Sequence, residues 1–297
     1  MINISTIIVT FNHENEIISC LNTLLNALAS LRAQIIVIDN HSQDQTLSNV
    51  HSVFKKYDDR NELQVIRNKV NLGFTKAVNQ GLVKSSGEYV LILNPDTELP
   101  PDIFPVLFNV FQNNKKCGIV SPQFRNSDGS LQPSCRRFPR HRDIIYTTFA
   151  LNKLFPKSRK FNYWQMGDFD FQTQRKVHQP QGAFLLMHRA ALEQVGFMDE
   201  KFPMFFSDVD WCRRFIKKGW EIIFLPDVKI IHQQGSSIFK SRLKMIWSSH
   251  RSFYSYFVKY YPAKKWTSIN LLTGCLLILL ALLRSLFCLL TNNSKTS

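Results

Sequence analysis

Five short runs of β-branched and aliphatic residues, separated by stretches of helical spacing, occupy the first 125 residues and leave few ways to fold them. The runs from Ile4 to Thr10, Gln34 to Asp39, Leu63 to Arg67, Tyr89 to Leu93 and Gly118 to Ser121 read as strands. Between them, Glu14 to Ala29, Gln43 to Lys55, Phe74 to Lys84 and Asp102 to Asn113 carry an apolar repeat of helical period. Strands that are apolar throughout must be covered on both faces, so the expected fold class is α/β, with a mostly parallel central sheet flanked by helices. Residues 126–180 are irregular and yield no assignment. A second ordered block follows: a strand from Gly182 to His188, a helix from Ser207 to Lys218, a strand from Trp220 to Leu225, and Lys229 to His232.

Ligands of such sheets bind beyond the carboxyl ends of the strands. The polar residues of this chain collect there. Phe11-Asn12-His13 follows the first strand, Asp39-Asn40 the second, Asn68 and Asn71 the third, and Asn94-Pro95-Asp96-Thr97 the fourth. Asp96 is placed to hold Mg²⁺ or Mn²⁺ against a diphosphate, although Asn-Pro-Asp is equally a good turn. Asp39 fits a contact to a ribose or base edge, or a turn in which Ser42 or Asp44 caps the next helix. Asn71, Gly73 and Asn79 lie around a helix start that favours an anion. Asp208 and Asp210 open a helix with Ser207 as a candidate N-cap, where acidic residues either complement the helix dipole or supply a general base. His232, after a strand, reads as structural or as a metal ligand.

Charge is unevenly spread. After Asp227 there is no acidic residue, while ten Lys and Arg follow, against a net charge of +15 for the 297 residues. The same region holds the 22 residues from Ile269 to Leu290, interrupted chiefly by Arg284. Basic residues beside an apolar run point to an anionic membrane surface and away from nucleic acid. The run is long enough to span a bilayer, and Asn270, Thr273 and Arg284 suit a helix lying in its plane instead. With Lys259, Lys264 and Lys265 before it, the catalytic part is expected at the cytoplasmic face. Six cysteines without a C-x-x-C pair fit a reducing compartment, and the N-terminus lacks the pattern of a secretory signal.

Taken in order, Ile7-Ile-Val-Thr-Phe-Asn12, Val37-Ile-Asp-Asn-His-Ser-Gln-Asp44, Asn71-Leu-Gly-Phe-Thr-Lys-Ala-Val-Asn79 and Gly87-Glu-Tyr-Val-Leu-Ile-Leu-Asn-Pro-Asp-Thr97 resemble the family 2 glycosyltransferases of the GT-A fold. Gly182-Ala-Phe-Leu-Leu186, Gly196-Phe-Met-Asp-Glu200, Phe205-Phe-Ser-Asp-Val-Asp-Trp-Cys-Arg213 and Lys229-Ile-Ile-His232 continue the resemblance, which is nearest to the rhamnosyltransferase-like branch. It implies an inverting transfer of rhamnose or another hexose from a dTDP-, UDP- or GDP-sugar to a lipid-linked or polysaccharide acceptor in cell-envelope glycan synthesis. It implies a donor pocket of Thr10, Asn12, Asp39, Asn71 and Gly73, with Asn79 and Asn94 nearby. Asp96 and His232 would hold a divalent metal, Mg²⁺ or Mn²⁺, and Asp208 would be the base. Asn94 stands where the family's D-x-D motif has its first acid, and Ser207 where many relatives have Glu, which keeps Asp210 open as a substitute base. Arg136 and Arg137 are candidates for an anionic acceptor, or a solvated basic loop.

The expected organisation is a GT-A domain over residues 1–238, divided at 125 into donor and acceptor halves, and a membrane-association segment over 239–297. A nucleotidyltransferase shares the sheet and the metal but needs a Gly- or Lys-rich phosphate loop, which Thr10-Phe-Asn-His13 is not. A non-catalytic membrane-associated protein that binds nucleotide-sugar or glycan is the alternative that Asn94 and Ser207 leave open.

Overall fold

The computed structural model describes residues 3–56, 61–233, 242–262 and 264–293. The chain begins β1 (Ile4–Thr10), α1 (Glu16–Ala27), β2 (Ala33–Asp39), α2 (Thr46–Phe54), β3 (Glu62–Arg67), α3 (Phe74–Lys84) and β4 (Tyr89–Leu93). It continues through β5 (Thr97–Glu98), α4 (Ile103–Asn113), β6 (Cys117–Arg125), β7 (Leu131–Gln132), β8 (Cys135–Arg136), α5 (His141–Thr148) and α6 (Leu151–Leu154). The remainder is β9 (Arg175–Lys176), β10 (Gln179–Pro180), β11 (Phe184–His188), α7 (Arg189–Val195), α8 (Ser207–Lys217), β12 (Glu221–His232), α9 (Arg242–Tyr260) and α10 (Lys264–Asn293).

The main sheet runs β3-β2-β1-β4-β11-β6-β12-β5. Its first four strands are parallel, as their apolar character requires. Successive side chains feed opposite layers. Ile4 and Ile8 face the layer of α1, α2 and α4, while Ile7 faces that of α3, α7 and α8. Tyr89, Leu91 and Leu93 of β4 alternate with Val90 and Ile92 in the same way. Each such aliphatic side chain, once enclosed, contributes about 1.5–3 kcal/mol. In the second layer Trp211 is fully buried and donates its indole N–H to Gly196 O at 2.8 Å, so the large ring is enclosed without an orphaned donor.

Two features depart from the sequence reading. β11 enters between β4 and β6, antiparallel to both, so the fifth run is not the neighbour of the fourth and the sheet is mixed. Trp220–Leu225 and Lys229–His232 belong to one continuous strand from Glu221. Its register against β6 shifts between Leu225 and Lys229, where Pro226 removes a ladder donor. The end of that strand lies between β6 and the two-residue β5, antiparallel to β5, with His232 opposite Thr97 and Ile231 opposite Glu98 on one side and Arg125 on the other.

A third cluster joins Ile144 of α5, Phe202, Phe206 and Val209 around the start of α8, Phe253, Tyr256 and Phe257 of α9, and Leu277 of α10. The C-terminal helices therefore pack on the body of the molecule. The expected boundary at 238 lies outside the described residues.

Where β1 and β4 converge, Gly87 sits so close to β1 that an added Cβ would fall 2.5 Å from Ser5 N and 2.6 Å from the Ile4 carbonyl carbon. Backbone cannot yield as a side chain does. Gly87→Ala should therefore destabilise by about 1–3 kcal/mol, read as a lower urea midpoint at unchanged slope. An unchanged midpoint would mean that the two strands are not this tightly apposed.

Candidate functional site

Asp96 lies in the turn between β4 and β5, and the β5–β12 pairing brings His232 beside it. Asp96 O also accepts the Gln233 amide at 2.9 Å, which closes the junction. Both side chains are buried, and His232 Nε2 stands 3.5 Å from Asp96 Oδ1. That separation exceeds a good hydrogen bond, and Asp96 Oδ1 has no hydrogen-bond partner among the described residues. Burial works to raise the Asp96 carboxyl, but the imidazole of His232 and, behind it, that of His13 outweigh it and hold the group below the usual carboxylate range. A buried oxygen lone pair facing an imidazole nitrogen across this gap is the donor set a hard or borderline cation takes. Among the described residues no third His, Cys, Asp or Glu completes a cluster, so further ligands would come from phosphate or water.

Asp208 lies in the first turn of α8, on the far side of a short connection to β11. Gly182 N–H and Gln179 Nε2 donate to its Oδ2 at 3.2 and 2.9 Å, and Val209 N–H donates to Oδ1 at 2.9 Å. The next residue, Ala183, accepts the Asn94 amide at 2.9 Å, so one dipeptide touches both Asp208 and the Asn94–Asp96 turn. Burial raises the Asp208 carboxyl above the usual range despite these three donors. Such a carboxylate is a better proton acceptor than an exposed one.

Asp210 has a different environment and does not qualify as a substitute base. It is 0% exposed, with its oxygens taken by Arg214 Nε at 2.9 Å, Lys259 Nζ at 2.5 Å and Tyr260 OH at 2.7 Å. Ser207 is not the N-cap either. Phe206, at φ 67°, holds that position and Ser207 Oγ donates to Met204 O.

At the carboxyl ends of β1 and β2, Thr10, Asn12, Asp39 and Asn71 converge near the start of α3. Thr10 Oγ1 meets His13 Nδ1 at 3.3 Å, Asn12 Oδ1 accepts Gln43 N at 2.8 Å, and both Asp39 oxygens accept Ser42 N at 3.2 Å. Asp39, 0% exposed, also lies 3.8 Å from Arg67, so its turn-holding role is the one this geometry displays. Asn40 is the hub, donating to Asn71 Oδ1 and Gly73 O while accepting from Asn68 and Leu72 N. Asn71 Oδ1 also takes Gly73 N–H, which leaves the exposed Nδ2 as that side chain's donor toward solvent.

One expectation here is corrected, that for Asn79. Gly73, at φ 85°, has Pro203 O 3.1 Å from where a Cβ would stand, so backbone lies tight against it. Asn79 exchanges two hydrogen bonds with the Met198 backbone, at 3.0 and 3.1 Å, and pins α3 to the loop before α8, so it has no pocket-facing amide. His13 was not singled out from the sequence. It is buried, its N–H donates to Thr46 Oγ1, and its charge reaches Asp96, linking the β1 end to the carboxylate. Its place after the first strand was the available signal.

The basic pair separates. Arg137 makes two bonds to Asp168, at 2.6 and 2.7 Å, and one to Tyr163 O, so it is already neutralised and does not fit an acceptor contact. Arg136 donates only to the Pro133 and Cys135 carbonyls and has no carboxylate partner among the described residues. It lines a cavity of about 410 Å³ together with Gln132, Asn162, Phe169 and Phe171.

The profile of Glycosyl transferase family 2 matches residues 5–196. The chain is 25% identical over 233 residues to the N-acetylglucosaminyl-diphospho-decaprenol L-rhamnosyltransferase of Mycobacterium tuberculosis, covering 74% of this chain and 73% of that protein. It is 24% identical to the dTDP-rhamnosyl transferase RfbF of Shigella flexneri over 80% of this chain and 71% of that one. The fold is similar to the mannosyltransferase PcManGT of Pyrobaculum calidifontis, solved with GDP-Man and Mn²⁺, with a TM-score of 0.59, 17% identity, and coverage of 93% and 70%. An α/β sheet with polar residues gathered at its strand ends, a profile match over more than half of the sequence and rhamnosyltransferase relatives together establish that this chain belongs to glycosyl transferase family 2 and has the GT-A fold.

Proposed function

We propose that the chain transfers a sugar, rhamnose or another hexose, from a nucleoside diphosphate sugar to a lipid-linked or glycan hydroxyl with inversion at the anomeric carbon. The observation that carries this reading is the partnerless Asp96 Oδ1 facing His232 Nε2, with the raised Asp208 carboxylate one dipeptide away. Asp96 and His232 would hold a divalent cation that neutralises the charge developing on the leaving diphosphate. Asp208 takes the proton of the acceptor hydroxyl as its oxygen bonds to the anomeric carbon and the bond to the nucleoside diphosphate breaks. Gln179 and Gly182 hold Asp208 Oδ2 in one orientation for that transfer. Arg136, which lines the adjoining cavity and has no carboxylate partner among the described residues, suits a phosphate of a lipid-linked acceptor. The rhamnosyltransferase relatives favour a dTDP-rhamnose donor over UDP- or GDP-sugars.

The proposed place of action is the cytoplasmic face of a membrane, with α9 and α10 lying flat. Within α10, the 27 residues Lys264–Leu290 are long and apolar enough to cross a bilayer. Its packing speaks against crossing. Asn270 bonds His141 at 2.7 Å and Tyr261 O at 2.9 Å, Gly274 abuts Tyr254, and Arg284 lies near enough to His250 to act on its charge. α9 thus runs back along α10, and a crossing α10 would carry exposed Lys244, Arg251 and Arg284 into hydrocarbon. Lying in plane, Leu271, Leu272, Ile278, Leu279, Leu282 and Leu283 enter the acyl boundary while the basic residues meet anionic headgroups.

Three outcomes are expected. Asp96→Ala removes turnover by a factor of at least about 10², and product analysis of the wild-type reaction gives the inverted anomer; near-normal activity or retention contradicts the assignment. Asp208→Asn loses about 10²–10⁴ in rate while gaining stability at neutral pH. The sign follows from the raised carboxyl: its ionised form costs stability once pH rises above the ordinary value of 3.8, so the gain over wild type shrinks as pH falls toward that value. Thermal melts of both proteins between acid and neutral pH check this, and a variant less stable at pH 7 than at pH 4 relative to wild type contradicts it. Finally, in sealed vesicles carrying the catalytic domain outside, protease added outside removes a C-terminal tag. A protected tag would show that α10 spans.

A further inference from the structure

His232 can serve a cation only if Nε2 carries a lone pair, and the residue that decides this is Gln132. Resting on the metal reading above, we propose that Gln132 is a positioning residue that locks His232 as the Nδ1–H tautomer and keeps Nε2 aimed at the site beside Asp96.

Gln132 belongs to the two-residue β7, pairs with Phe124 of β6, and is 3% exposed. Its amide nitrogen donates to Asn126 Oδ1 at 2.8 Å and to the His232 carbonyl at 3.1 Å. A backbone carbonyl can only accept, so the amide cannot be turned over. Asn126 is fixed in its turn, because its own Nδ2 donates to Ser130 Oγ at 2.8 Å. The Gln132 oxygen therefore faces His232 Nδ1, at 2.8 Å. An amide oxygen cannot donate, so the proton in that contact belongs to Nδ1, and Nε2 is the nitrogen left to face Asp96 and to take a cation. The one glutamine thus holds both the backbone and the ring of the same histidine. Nε2 in turn faces the partnerless Asp96 Oδ1 at 3.5 Å. A hydrogen-bond acceptor on the non-ligating nitrogen is the general device by which a metal-binding imidazole is oriented.

Gln132→Met keeps the length and volume of the side chain and removes both donations and the acceptor. Titrated with Mn²⁺ alone and followed by loss of the free-ion electron paramagnetic resonance signal, the variant should bind about 10–100-fold more weakly than wild type. Asp96→Ala, measured in parallel, should bind more weakly still. Wild-type affinity in Gln132→Met overturns the inference while leaving the metal reading intact. Wild-type affinity in Asp96→Ala, or no binding by the wild-type chain, overturns the metal reading itself and the inference with it. A second measurement needs no variant: a long-range ¹H–¹⁵N spectrum of the metal-free wild-type chain should show His232 protonated on Nδ1. A ring protonated on Nε2 and bare on Nδ1 overturns the inference whatever the affinities.

Discussion

The opposition of Asp96 and His232 is the constraint around which the rest of the molecule is arranged. The Asp96 carboxylate is buried, and the imidazoles of His232 and His13 offset the cost of enclosing it. Three local features keep it there. The register shift at Leu225–Lys229 lets β12 continue past Pro226, the two-residue β5 captures the end of that strand, and Gln132 of β7, a strand paired with β6, donates to the His232 carbonyl. Each is a short, irregular element with little stability of its own. The four parallel strands and their two helical layers supply the rigidity that holds them.

Helix geometry explains why two aspartates in one helical turn have opposite surroundings. Residues two apart on an α-helix point about 200° apart. Asp208 consequently faces β10 and the connection before β11, and Asp210 faces away, into Lys259 and Tyr260. The first carries a burial cost that its three neutral donors do not offset; the second is neutralised by Arg214 and Lys259. Asp210 then ties α9 to the helix that carries Asp208, so the basic C-terminal hairpin is fastened to the catalytic body by a buried ion pair as well as by the aromatic cluster of Phe206, Phe253 and Phe257. The proposed membrane contact and the candidate base share one supporting helix.

Much of this was legible in the sequence because it follows from periodicity. Apolar runs such as Ile4–Thr10 and Tyr89–Leu93 announce strands buried on both faces, and a parallel sheet obliges the polar residues after them to share one edge. Order along the chain does not reveal which strand inserts where, and the antiparallel entry of β11 left no local mark. The region 126–180 was opaque because β7, β8, β9 and β10 are two residues each, too short to carry a repeat. Gln132 was hidden there for that reason. Side-chain partners were the least legible. Asn79 and Gly73 lie where a ligand contact is expected, yet their partners are Met198 and Pro203, residues more than a hundred positions away that no local pattern indicates.

The most direct test of the account is the coordination of Mn²⁺ in the complex with a nucleoside diphosphate, read by pulsed electron paramagnetic resonance. The account predicts modulation from one imidazole nitrogen together with ³¹P coupling, the nitrogen signal vanishing in His232→Ala while the phosphorus coupling persists. A spectrum from bound Mn²⁺ with no nitrogen modulation in the wild-type chain would contradict it.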